Sequence, residues 1–84
     1  SIEHILPECN EGNVTNIGNL IMLEGNLNTE ADKIDYTEKL KVYEKSTYKW
    51  IHEFTDKHPV WEEGMIGNRA RSMAALYYHK ILKN

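Results

Sequence analysis

A single cysteine, Cys9, excludes any disulfide within the chain. No apolar run approaches the roughly 20 residues that a bilayer-spanning helix needs. The N-terminus also lacks the basic and apolar stretches of a secretory signal. These absences lead to the expectation of a cytoplasmic protein with no membrane partner. Proline is scarce, with Pro7 and Pro59 the only two. Lys and Arg are missing from the first 32 positions, which hold Glu3, Glu8, Glu11, Glu24, Glu30 and Asp32. All ten basic residues lie from Lys33 onward, among seven acids. A net charge of −3 does not suit indiscriminate binding to a polyanion. An acidic front half nevertheless suits a cation site, and a basic rear half could meet phosphates. Mixed Lys/Glu segments are equally ordinary as solvated helix faces.

At 84 residues the chain has room for one domain, residues 1–84, with no linker, internal repeat or low-complexity tract. A domain of this size buries only roughly 60% of its unfolded surface, so its stability is expected to be modest. The sequence starts without an initiator Met, which suggests a fragment or processed piece of a longer protein. Residues 2–6 read as a short strand ended by Pro7, which cannot donate to a ladder. Residues 8–16 carry Gly12 with Asn10, Asn13 and Asn16, which is loop chemistry. The apolar run at 17–23 predicts a strand buried on both faces, paired with the first as a hairpin.

Thr29 followed by Asp32 is a loose helix-start signal. Tyr36, Leu40 and Tyr43 then recur at helical spacing and predict an amphipathic helix running to Lys45. Ser46-Thr47 interrupts it, and Tyr48, Trp50, Ile51 and Phe54 form a second, less regular apolar segment. Pro59 suits the first turn of a last helix, with Trp61, Met65, Ile66, Met73, Leu76, Tyr77 and Ile81 as its buried stripe. Gly64 and Gly67 each cost about 1 kcal/mol relative to Ala inside a helix, which shifts its expected start toward Met65.

The front of the chain carries the chemistry. Glu3 and His4 lie just before Pro7, Asn19 follows Ile17-Gly18, and Asn28 comes after the apolar run. A carboxylate, an imidazole and two carboxamides are the parts needed to hold one hard cation and activate one water beside it. Adjacent strand residues face opposite sides, so Glu3 and His4 share a pocket only at a strand end or bulge.

Strand, loop, strand, helix, with His on the first strand and Asn on the second, resembles the HNH nucleases of the His-Me finger, or ββα-metal, superfamily. More narrowly, Ile2-Glu3-His4-Ile5-Leu6-Pro7, Ile17-Gly18-Asn19-Leu20-Ile21-Met22-Leu23 and Asn28 resemble the C-terminal domain of GmrSD-type modification-dependent restriction endonucleases. Tyr36, Lys39, Tyr43, Ser46, Trp61, Ile66, Arg69 and an Ala/Leu-rich helix extend the likeness along nearly the whole chain. The implied fold is α+β: a two-stranded β-hairpin plus helix, the ββα-metal core, with additional C-terminal helices. The implied activity is metal-dependent endonucleolytic hydrolysis of DNA in restriction or defence.

On that pattern His4 is the general base, a role imidazole fills because its ordinary pKa lies near neutrality. Glu3 and Asn28 are the metal ligands, and Asn19 pins the loop that aims His4. Asn26 is the alternative to Asn28, and Asn16 the alternative to Asn19. Asp32-Lys33 stands where the family usually has another Asn. A carboxylate with a carboxamide oxygen suits Mg²⁺, with Mn²⁺ able to substitute. The implied partners are DNA, an N-terminal nucleotide-hydrolysing domain absent from these residues, and a second copy in a homodimer. The alternative is a catalytically inactive ββα module that binds nucleic acid or a protein.

The remaining candidates are weighed toward structure. His52, His58 and His79 with Cys9 match no zinc spacing. His58 is expected to cap a helix and His79 to lie on an exposed helical face. Trp50, Trp61 and the tyrosines are expected in the core rather than stacked on bases. Arg69 reads as structural and Arg71 as the exposed cation for phosphate.

Overall fold

The computed structural model describes residues 1–7 and 16–82, and for 81 and 82 the backbone alone. Cys9, the expected loop over 8–15 and the side chain of Ile81 lie outside the described residues. The order of elements is β1 (Ile2–His4), a 3₁₀ turn (Ile17–Asn19), β2 (Leu20–Met22), α1 (Gly25–Ala31), α2 (Tyr36–Tyr43), α3 (Lys49–Lys57) and α4 (Glu63–Tyr77). A final π-helical turn covers Tyr78–Leu82. This is the expected α+β fold, a two-stranded hairpin followed by helices.

β1 and β2 pair antiparallel, with Glu3 opposite Ile21 and His4 opposite Leu20. The pleat places Glu3 and Ile21 on the inner face, both buried, while Ile2 and Met22 stand exposed on the other. The run at 17–23 is therefore not a strand buried on both faces. Asn16 starts a turn instead, its Oδ1 accepting the Gly18 N–H at 2.8 Å. Gly18 is pressed against α4 so closely that a Cβ there would sit 2.0 Å from the Ile66 carbonyl oxygen. Only glycine permits that backbone contact.

α1 starts at Gly25, four residues ahead of the expected Thr29, whose hydroxyl instead donates back to the Gly25 carbonyl at 3.1 Å. Glu24 precedes the helix without capping it. Its carboxylate accepts from the Ser46 hydroxyl at 2.7 Å and the Thr47 N–H at 2.8 Å, tying α1 to the α2–α3 connection. Asp32 caps the C-terminus of α1, and Lys33 follows in the left-handed region at φ 62°.

α2 carries the expected Tyr36 and Tyr43 on its buried face, with Val42. α3 turns Ile51 and Phe54 inward. Trp50 departs from the expectation of burial. It is half exposed, stacks on Tyr48 with ring centroids 4.5 Å apart, and donates its indole N–H to the Met22 carbonyl at 2.9 Å. His58 caps the C-terminus of α3, and Tyr36 donates to its carbonyl at 2.5 Å. Pro59 lies in the connection, and α4 begins only at Glu63.

The core is one cluster that includes Ile5, Leu23, Leu27, Tyr43, Ile51, Phe54, Trp61 and Ile66. Truncating a buried residue such as Ile66 to Ala would cost about 2–5 kcal/mol by lost transfer energy and cavity formation. The predicted stripe of α4 stops early. Trp61 and Ile66 are buried and Met65 is half-buried, but Leu76 and Tyr77 are more than 60% exposed. No helix among the described residues is long and apolar enough to cross a membrane.

Candidate metal centre and its clamp

β1 ends at His4, and there Glu3, His4, Asn28, Asp32, Lys33 and Lys39 line one polar cleft of about 310 Å³. Glu3 and His4, neighbours at the end of β1, both line this cleft. α1 supplies Asn28 and packs beside β1, fastened by the Asn28 amide, whose Nδ2 donates to the Ile2 carbonyl at 3.0 Å. The amide oxygen is then the atom left to the cleft. Asn26 is exposed and does not line it.

Glu3 is 2% exposed, and a carboxylate so placed needs a compensating charge. Lys39, equally buried, provides it: its Nζ donates to Glu3 Oε2 at 2.7 Å and to the His4 carbonyl at 2.9 Å. The Tyr43 hydroxyl donates to the same Oε2 at 2.5 Å. Burial, and then the charge of Glu3 and its hydrogen bond, push the Tyr43 phenol well above its usual range, so it stays a donor. Oε2 carries both bonds.

Lys39 and Tyr43 were missed as partners of the site. The available signal was a lysine set between Tyr36 and Tyr43 on one face of an amphipathic helix, where an apolar residue is expected.

Asn19 does not enter the cleft. It is fully buried, and its Oδ1 accepts the Leu6 N–H at 2.7 Å while its Nδ2 donates to the Leu6 carbonyl at 2.9 Å. Its backbone carbonyl accepts from Ile5 N–H at 2.9 Å. Together these bonds fix the backbone immediately after His4. Trp61 braces the clamp from the far side, donating its indole N–H to Asn19 Oδ1 at 3.1 Å. Arg69 donates to the carbonyls of Gly18 and Leu20, each at 2.9 Å, and lies over the Phe54 ring. Arg69 is thus structural, as its sequence context suggested. Asn16 caps the 3₁₀ turn and takes no part in the clamp.

The other histidines lie elsewhere. His52 Nε2 contacts the Ser46 carbonyl at 2.6 Å, and His58 packs against Phe54 and Trp61. Burial, with Arg69 and Lys57 nearby, lowers the His58 pKa. His79 is exposed, and so is Arg71, which donates to Asn68 Oδ1.

Among the described residues, no three His, Cys, Asp or Glu side chains are grouped to hold a metal ion. Glu3 and Asn28 offer a carboxylate and a carboxamide oxygen, the donor types taken by a hard cation that keeps most of its water, such as Mg²⁺.

The sequence profile of the GmrSD restriction endonuclease C-terminal domain matches residues 1–76. The chain belongs to that family. Searches found no match among curated proteins or among solved structures.

Proposed function

We propose that this domain is a metal-dependent endonuclease that hydrolyses DNA phosphodiester bonds in restriction or defence, acting in the cytoplasm. The observation that carries the reading is the convergence of Glu3, His4 and Asn28 on one polar cleft, with the backbone beyond His4 clamped by Asn19. Family membership supports it.

In this reading Glu3 Oε1 and Asn28 Oδ1 hold the cation, Mg²⁺ or in its place Mn²⁺. Held there, such a cation would supply positive charge to offset the charge that builds on the phosphate and the leaving oxygen. His4 accepts a proton from the attacking water. The water oxygen bonds to phosphorus as the bond to O3′ breaks, and O3′ takes a proton from solvent, leaving a 5′-phosphate and a 3′-hydroxyl. Asn19 acts through the backbone: it keeps residues 5 and 6 from drifting and so fixes the direction of His4. Lys39 and Tyr43 orient Glu3 through their bonds to Oε2. In the whole protein an N-terminal nucleotide-hydrolysing domain would act with this one, and a homodimer would place two such clefts on the two strands.

The test is incubation of supercoiled plasmid with the intact protein, with Mg²⁺ or Mn²⁺ and with EDTA, followed by end-group analysis. Metal-dependent nicks bearing 5′-phosphates support the proposal. An intact protein that binds DNA but cuts neither plain nor modified plasmid would leave a catalytically inactive binding module as the reading.

A further inference from the structure

β1 and α1, which supply Ile2, Glu3, His4, Asn28 and Thr29 to the cleft wall, come from the stretch that contains no Lys or Arg. Among the described residues the cleft has two cations, Lys33 and Lys39. The Lys39 ammonium is committed to the Glu3 carboxylate and the His4 carbonyl. Lys33 is exposed and makes no ion pair or hydrogen bond among the described residues.

Its backbone is unusual. At φ 62° it occupies the left-handed position just past the end of α1, where glycine or asparagine is the ordinary choice. A β-carbon there is a steric cost without structural need. Backbone strain beside a candidate active site is a reason to look for a use of the side chain.

We propose that Lys33 binds a phosphate of the DNA backbone at the mouth of the cleft, holding the strand across His4. The assignment rests on the nuclease reading, since it takes DNA as the occupant of the cleft. A lysine ammonium suits this task because it acts as a mobile point charge and does not demand a fixed bidentate geometry. The competing explanation is a merely structural one, in which Lys33 offsets the negative end of the α1 dipole.

The experiment is equilibrium binding of a labelled duplex by the full protein carrying His4→Ala to prevent cleavage, over a series of salt concentrations. Lys33→Gly removes the charge and suits the backbone. The dissociation constant should rise several-fold at low salt, and the salt-dependence slope should fall by about one. Its Tm should be unchanged or higher. Lys33→Arg should keep the parental slope, as should Lys41→Gly, since Lys41 pairs with Glu38 outside the cleft. A Lys33→Gly protein with parental affinity and slope overturns the assignment, whatever its Tm. If the parent binds the duplex, only this assignment falls. If the parent binds no DNA at any salt, the nuclease reading falls with it.

Discussion

The side-chain amide of Asn19 holds both backbone groups of Leu6, accepting the N–H at 2.7 Å and donating to the carbonyl at 2.9 Å. The pairing imitates one rung of a sheet at the point where β1 gives out. Asn19→Ala would leave the Leu6 N–H, the Leu6 carbonyl and the Trp61 indole N–H without this partner. Buried donors abandoned in this way cost about 1–3 kcal/mol each. Urea unfolding should register a loss of at least about 2 kcal/mol. A loss below about 0.5 kcal/mol would show that water replaces the amide and that the clamp is not needed.

The Glu3–Lys39 pair should behave as a unit. Lys39→Met strands a buried carboxylate, and removing one partner of such a pair costs about 3–5 kcal/mol. Adding Glu3→Gln should return part of that loss, so the double variant is more stable than Lys39→Met alone. Additive losses in the double-mutant cycle would mean that the two side chains are not coupled as their 2.7 Å contact implies.

Gly18 is fixed by backbone rather than by side-chain neighbours. In Gly18→Ala the new Cβ meets the Ile66 carbonyl oxygen at 2.0 Å and the Ala70 nitrogen at 2.9 Å. Overpacking commonly costs about 1–3 kcal/mol, and helix backbone cannot move aside as a side chain can. A thermal melt should place this variant at or above the upper end of that range. A near-parental Tm would show that α4 can shift away from the turn.

Much of this arrangement is legible in the sequence. The hairpin, the helix with Tyr36 and Tyr43, and the placing of Glu3, His4 and Asn28 beside one another follow from spacing and from the family likeness. The errors have local causes. Asn16 and Gly18 turned an apolar run into a 3₁₀ turn plus a three-residue strand, because capping and close helix contact outweighed hydrophobic pattern. Leu76 and Tyr77 follow helical spacing but project beyond the body of the domain, and periodicity does not reveal where the facing wall ends. Lys39 escaped because a charge in an apolar stripe acquires meaning only once Glu3, 36 residues earlier, is seen against it.

Stability toward acid should depend on Glu24. Burial works to raise its pKa, but the Thr47 N–H, the Ser46 hydroxyl and the other hydrogen bonds to the carboxylate outweigh it and bring the value down to about 2. A folded-state pKa below the unfolded one means stability that is complete above about 4.5 and is lost as pH falls toward 2. Glu24→Gln should flatten the stability profile in that window. Profiles of equal slope there would contradict the role given to Glu24.

A bound cation should stabilise the fold by mass action, so Tm should climb with Mn²⁺ concentration. Glu3→Gln and Asn28→Leu should each blunt that climb, while Asn26→Leu should leave it intact. A Tm insensitive to Mn²⁺ in the parent would remove the metal from the account.

The most direct test concerns His4. Plasmid nicking rates should be compared for the parent and His4→Ala at matched Mg²⁺, after Tm values confirm that both are folded. General-base catalysis contributes typically 10²–10⁴-fold, so His4→Ala should lose at least about a hundredfold in rate. A His4→Ala protein that cuts within about twofold of the parent would place the reaction elsewhere and end the claim that this cleft is the active site.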